Sequence, residues 1–173
     1  FVITGGLGAI GLLSAKVLVS LGAKRLVLLS RSARVSNEGQ GLEKLLEELQ
    51  ENADISVHVM KCDVSKEEAV VSMLSEVRAL CGESEGIDGI IHSAGVLRDA
   101  TIRGGGAASG FEDVWSAKAL SAYWLHKHTA VDSLKLFVVY SSIVAAVGNI
   151  GQSAYSASNA LLDELVESRV KGG

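Results

Sequence analysis

The sequence has no proline, two cysteines and few aromatic residues, which make up 5% of it. The two thiols, Cys62 and Cys81, cannot build a disulfide framework and show no metal-ligand spacing. They fit a reducing compartment, the cytoplasm or an organelle. The absence of proline has no functional reading. No apolar run reaches the roughly 18 residues of a membrane-spanning helix, so none is expected. Nothing at the start has the layout of a secretory signal. Basic residues are neither abundant nor clustered: 16 Lys and Arg against 20 Asp and Glu leave a net charge of −4. Phosphate backbones call for a concentrated basic face, which argues against nucleic acid as the main partner. His126 and His128 are two apart on a predicted helix and do not share a face, while His58 and His92 stand alone. No metal site is expected.

What is present is apolar. Hydrophobic residues are 48% of the 173, and mean hydropathy is +0.32, enough for one domain with a substantial core. Charged residues at 21% are ordinary for a folded chain. Phe1-Val2-Ile3-Thr4 enters directly as a strand, without an initiator Met, and Val170-Lys171-Gly172-Gly173 stops just past a helix. The expectation is a domain excised from something longer.

Short β-branched runs at Phe1–Thr4, Arg25–Ser30, Ile55–Lys61, Ile87–His92 and Leu134–Ser141 read as buried parallel strands. Between them, Ala9–Leu21, Leu42–Glu51, Lys66–Leu80, Phe111–Thr129 and Ser153–Val170 have helical period. Leu42, Leu45, Leu46 and Leu49 mark one such stripe. Strand–helix alternation at this spacing predicts right-handed βαβ units: a Rossmann-like, doubly wound parallel sheet in three α/β/α layers. The glycine-rich stretch Arg103–Gly110 lacks periodicity and is read as a loop. Trp115 and Trp124 are read as packing residues.

The first strand runs into Thr4-Gly5-Gly6-Leu7-Gly8-Ala9-Ile10-Gly11. From Gly6 this is Gly-x-Gly-x-x-Gly. Its glycines permit a tight turn, backbone approach to a pyrophosphate and close helix-on-sheet packing. The helix that follows offers free N–H groups to phosphates. A preceding strand and a following helix supply the context that such a pattern needs, against the alternative of a glycine-rich turn without ligand. The second strand ends Leu28-Leu29-Ser30-Arg31-Ser32, with no acid to hold a ribose 2′-hydroxyl. Arg31 offers a planar fork for a 2′-phosphate, which favours NADPH over NADH; the alternative is an ordinary surface arginine. Asp63, at the end of the third strand, either accepts from an adenine amino group or caps the next helix. Cys62 beside it has no activating partner and is read as core. His92-Ser93-Ala94-Gly95 ends the fourth strand in small residues that let a cofactor lie on the backbone.

Two further segments carry candidate chemistry. Leu136-Phe137-Val138-Val139-Tyr140-Ser141-Ser142 ends in polar residues at the edge where a cofactor belongs. Gly151-Gln152-Ser153-Ala154-Tyr155-Ser156-Ala157-Ser158-Asn159 opens a helix, with Tyr155 and Asn159 on one face. Carbonyl reduction needs a proton for the emerging alkoxide. Tyrosine can give it if a cation stabilises the phenolate, and serine can hydrogen-bond the carbonyl oxygen.

These segments resemble the short-chain dehydrogenase/reductase superfamily. That superfamily normally places Lys four residues after Tyr, where this sequence has Asn159. The ketoreductase domains of modular polyketide synthases and animal-type fatty acid synthases are more similar. They carry the lysine on the preceding helix, here Lys118 in Val114-Trp115-Ser116-Ala117-Lys118, although Ala117 replaces the common proline. Gly-Gly-Leu-Gly, Ser-Arg, Cys-Asp-Val, His-Ser-Ala-Gly-Val-Leu, Tyr-Ser-Ser and Gly-Gln-x-x-Tyr-x-x-x-Asn follow the family's order along nearly the whole chain.

The resemblance implies a tetrad of Lys118, Ser142, Tyr155 and Asn159. Tyr155 donates the proton, Ser142 orients the carbonyl, Lys118 lowers the tyrosine pKa and leads a proton relay, and Asn159 holds that relay. It also implies NADPH contacts at Thr4, Gly6, Gly8, Ile10, Gly11, Ser30, Arg31, Asp63, Val64, Ala94 and Gly95. The implied substrate is a β-ketoacyl thioester on the phosphopantetheine arm of an acyl carrier protein, with neighbouring synthase domains as partners. Family members continue past the tyrosine helix into further strands and a lid, and usually pair with an N-terminal structural subdomain. Val96-Leu97-Arg98-Asp99 is similar to the Leu-Asp-Asp signature of domains giving the D-(3R) alcohol, and Val147 stands where the opposite class has tryptophan. The alternatives are a non-catalytic module keeping the fold for NADPH binding or scaffolding, and a freestanding reductase of small ketones or sugars.

Overall fold

Five strands, β1 (Val2–Thr4), β2 (Arg25–Ser30), β3 (Ser56–Lys61), β4 (Gly89–His92) and β5 (Leu136–Val139), pair in parallel in the order β3-β2-β1-β4-β5. They come from a computed structural model that describes residues 1–36, 39–82, 86–101 and 107–172. The helices are α1 (Ala9–Ser20), α2 (Leu42–Glu51), α3 (Glu67–Cys81), α4 (Ala107–Trp115), α5 (Ser121–His128), α6 (Val144–Val147) and α7 (Ser153–Lys171), with a π-helical segment, Ser116–Leu120, between α4 and α5.

Strand side chains alternate between the two faces, and both faces are covered. Val2, Val27, Leu29 and Ile90 pack with Val70, Met73, Leu74 and Val77 of α3 and Leu125 of α5. Their neighbours Ile3, Leu26, Leu28 and Ile91 pack with Leu12, Ala15 and Leu18 of α1 and Leu42 and Leu49 of α2. Two cores thus sandwich one sheet, as the β-branched runs predict. In this strand order the winding reverses between β1 and β4, and a crevice opens beyond their carboxyl ends.

Three expectations need correction. Residues 107–110, read as loop, form the first part of α4, while Arg103–Gly106 lie outside the described residues. Gly110 is there for close packing, since a Cβ on it would stand 2.7 Å from the Arg98 Cβ. The single helix expected over Phe111–Thr129 is broken by the π-helical segment, whose backbone bonds leave no mark on hydrophobic period. The fifth strand ends at Val139, short of Ser141, and the four residues of α6 are too few to show any period.

Candidate active site

Beyond the carboxyl ends of β1 to β4 lies a cavity of about 590 Å³. The turn after β1 forms one wall through Gly5, Gly8, Ile10 and Gly11. Gly5 has a φ of +62°, and a Cβ there would stand 2.9 Å from the Ala94 nitrogen. A Cβ on Gly11 would collide with the Gly5 carbonyl oxygen, so the start of α1 sits directly on the turn. Gly6 faces the other way. A Cβ on it would lie 2.7 Å from the Ile3 carbonyl oxygen, and it does not line the cavity; Gly5 does. Thr4 is also off the wall, fully buried with its hydroxyl 2.7 Å from His92 Nδ1.

The opposite wall comes from the ends of β2 and β3. Ser30, Arg31, Asp63 and Val64 line it, together with Arg34 and Ser36, which the sequence reading passed over. The Ser30 hydroxyl is buried without a partner. Asp63 is no cap: Lys66 occupies the N-cap of α3, while Asp63 Oδ1 accepts from the Ser65 nitrogen at 3.2 Å and hydroxyl at 2.8 Å. The neighbouring Cys62 is core-like, its thiol pushed up to about 11 chiefly by burial. Ala94 and Gly95 form the floor after β4.

A smaller cavity of about 210 Å³ shares Ile10, Ser93, Gly95, Val96 and Leu97 with the first and adds Lys118, Tyr140, Ser141 and Tyr155. Lys118 is only 4% exposed. Its Nζ donates to the Tyr140 carbonyl at 2.8 Å and stands 5.4 Å from the centre of the Tyr155 ring. Burial pushes its pKa down to about 8, so the ammonium is still the main form at neutral pH.

The other two members of the implied tetrad stand apart from this wall. Ser142 lines neither cavity, and its hydroxyl accepts from the Val144 nitrogen at 3.4 Å; Ser141 faces the cavity instead. Asn159 is fully buried. Its Nδ2 donates to the Tyr155 carbonyl at 2.8 Å, steadying the turn that carries the tyrosine, and its Oδ1 is buried without a partner. Two features escaped sequence reasoning: the π-helical carrier of Lys118 and the Tyr140 carbonyl that receives its ammonium. Backbone carbonyls leave no trace in side-chain pattern.

A doubly wound parallel sheet with its cavity at the carboxyl edge defines a class, the Rossmann-like α/β fold. A short-chain dehydrogenase from Streptomyces avermitilis superposes with a TM-score of 0.77 over 96% of this chain and 58% of that one, and its 19% identity speaks for the fold alone. Within that class the chain belongs to the KR domain family, whose model matches residues 1–173. It is 40% identical over 172 residues to the phenolphthiocerol synthesis polyketide synthase type I Pks15/1 of Mycobacterium marinum, across 99% of this chain and 8% of the relative. An N-terminal ketoreductase from the macrolactin assembly line superposes with a TM-score of 0.84 at 31% identity, across 99% of this chain and 34% of that structure. The chain therefore spans less than a tenth of that polyketide synthase and about a third of that ketoreductase structure. Its fold and family are those of ketoreductases of polyketide synthases, which imply a nicotinamide cofactor.

Proposed function

We propose that the chain is the cofactor-binding, catalytic part of an NADPH-dependent ketoreductase. It reduces a β-ketoacyl thioester on an acyl carrier protein to the D-(3R)-hydroxyacyl thioester, beside other domains of a polyketide or fatty acid megasynthase. The observation that carries this reading is the meeting of Lys118 and Tyr155 on one wall of a cavity that joins the glycine-turn crevice.

The residues present fit the cofactor. The unpartnered Ser30 hydroxyl and the Cβ-free approach at Gly5 and Gly11 supply a waiting polar atom and a backbone surface for phosphates. Gly8 and Ile10 continue that surface. Arg31, helped by Arg34, takes the 2′-phosphate; Asp63 and Val64 hold the adenine; Ala94 and Gly95 lie along the dinucleotide. Thr4 and Gly6 act beneath the turn by shaping it. When bound, the reduced nicotinamide supplies the hydride.

The chain's own groups handle the proton. Tyr155 gives its phenolic proton to the alkoxide oxygen formed from the substrate carbonyl. The buried Lys118 ammonium stabilises the phenolate left behind. Ser142, next to the wall residue Ser141, takes the family's role of orienting the carbonyl by turning its hydroxyl from the Val144 nitrogen to the substrate, and Asn159 holds the Tyr155 turn in place. The D-(3R) assignment rests on the likeness of Val96-Leu97-Arg98-Asp99 to the Leu-Asp-Asp signature and on Val147 in the place of tryptophan.

The test is reduction of a β-ketoacyl N-acetylcysteamine thioester by the full-length protein, with chiral analysis of the product. NADPH consumption with the 3R alcohol is expected. A 3S product would reject the stereochemistry, and no consumption would reject the reductase.

A further inference from the structure

His92 is a fully buried titratable side chain that the proposed chemistry leaves unused. It ends β4, is fully buried and lines neither cavity. Both ring nitrogens are nevertheless engaged. Nδ1 lies 2.7 Å from Thr4 Oγ1, and Nε2 lies 3.0 Å from the backbone carbonyl of Lys118. A carbonyl only accepts, so Nε2 carries the proton and Nδ1 accepts from the Thr4 hydroxyl. Thr4 Oγ1 in turn accepts from the Ala94 nitrogen at 3.3 Å. Ser121 completes the nest: its hydroxyl donates to the Ala117 carbonyl at 2.8 Å and sits 3.2 Å from His92 Nε2. Burial pushes the imidazole down to about 4, which keeps it in the neutral, single-donor form.

The carbonyl that His92 grips belongs to the π-helical segment Ser116–Leu120, where the Ser121 nitrogen reaches back to the Ser116 carbonyl. π turns are rare and occur mostly as isolated bulges at functional sites, because the wider turn needs outside support. Each residue of an α-helix advances roughly 100° about the axis, so loss of the bulge would swing the residues around it to a different face. Lys118 sits within the bulge.

We infer that His92 is a positioning residue: its Nε2–H pins the Lys118 carbonyl, holds the π turn, and so aims the Lys118 ammonium at Tyr155. Through Thr4 and Ala94 the same imidazole ties that aim to the turn that faces the cofactor crevice. The inference rests on the reductase reading only for its effect on turnover, since the placement of the ammonium can be followed by itself.

Two substitutions separate the two nitrogens. In His92→Gln the amide nitrogen falls near the place of Nε2, whereas in His92→Asn it falls near Nδ1 and takes away the N–H that ties the Lys118 carbonyl to β4, leaving that carbonyl to the Ser121 hydroxyl at 3.1 Å and the Ser121 nitrogen of its own helical segment. Turnover of the thioester substrate and NADPH affinity are measured on the full-length protein. In parallel, the Cε resonance of Lys118 is titrated in ¹³C-lysine-labelled protein and assigned by its loss in Lys118→Arg.

His92→Asn should lower kcat by about tenfold or more while NADPH affinity stays within about twofold, and His92→Gln should keep most of kcat. The Lys118 titration should move up to the ordinary lysine range in His92→Asn and stay low in His92→Gln. Should His92→Asn fail to fold, Thr4→Val removes the hydroxyl that fixes the tautomer, and it should move the same resonance in the same direction. An unmoved Lys118 titration in whichever of these variants folds overturns the inference, whatever happens to turnover. A moved titration in a protein that reduces no thioester upholds the positioning and defeats the reductase reading.

Discussion

Lys118 and Tyr155 sit on different helical elements, yet the lysine Nζ stands 5.4 Å from the centre of the tyrosine ring. The ammonium is held there by the carbonyl of Tyr140, the residue that follows β5, so the sheet helps to set the spacing of the pair. A desolvated cation facing a phenol is the arrangement that carbonyl reduction asks for, and it has consequences that can be measured.

Lys118 leaves a signature in alkaline unfolding. Its folded pKa of about 8 lies below the reference 10.5, so between those values the unfolded chain binds more protons than the folded one. Stability contributed by this group therefore rises with pH across that window, and below about pH 8 the penalty is constant. Urea unfolding of the wild type against Lys118→Met should show the wild type gaining on the variant between about pH 8 and 10.5. Parallel profiles would contradict the burial of the ammonium.

His92 leaves a signature of the same sign at acid pH. Held at about 4 against a reference of 6.5, it stays neutral in the fold while the unfolded chain protonates. Its contribution is intact above about pH 6.5 and is lost as the pH falls towards 4. Comparison with His92→Gln, which cannot titrate, isolates the effect from the carboxylates. A wild type that loses nothing relative to the variant in that range would refute a buried neutral imidazole.

Arg31 discriminates between the two nicotinamide dinucleotides. Removing a charge-assisted contact of about 1.5–3 kcal/mol should weaken NADPH by roughly 10- to 100-fold in Arg31→Ala. NADH, without a 2′-phosphate, should be nearly indifferent. Fluorescence titration of both cofactors decides, and equal losses would place the guanidinium elsewhere.

Gly11 tests the turn. In Gly11→Ala the new Cβ meets the Gly5 carbonyl oxygen, a backbone atom that cannot swing aside. A loss of about 1–3 kcal/mol of stability is expected, together with weaker NADPH binding because the turn must shift. A thermal midpoint and cofactor affinity like those of the wild type would show that the turn has room to spare.

Most of the fold was legible because both faces of the sheet are buried: the unbroken apolar runs Val2-Ile3 and Leu26-Val27-Leu28-Leu29 admit few other readings. The α4 region was not, since Gly110 reads as a loop residue and is in fact pressed against Arg98. At the site, residue type and position pointed to Tyr155, Ser30 and Arg31, and the family resemblance to Lys118; all four reach a cavity wall. Which of Gly5 and Gly6, or of Ser141 and Ser142, lines a cavity depends on backbone direction, which residue type does not carry. His92, dismissed as isolated by its spacing, is bonded at both nitrogens through contacts 88 and 26 residues away. Spacing along the chain is blind to such pairs.

The most direct measurement is single-turnover reduction of a β-ketoacyl thioester by the full-length protein carrying Tyr155→Phe, with NADPH affinity measured alongside. Loss of the proton donor should slow reduction by about 10²- to 10⁴-fold and leave NADPH affinity within about twofold. Wild-type speed in that variant would mean that the proton comes from another group, and that the pairing of Lys118 with Tyr155 is not the catalytic one.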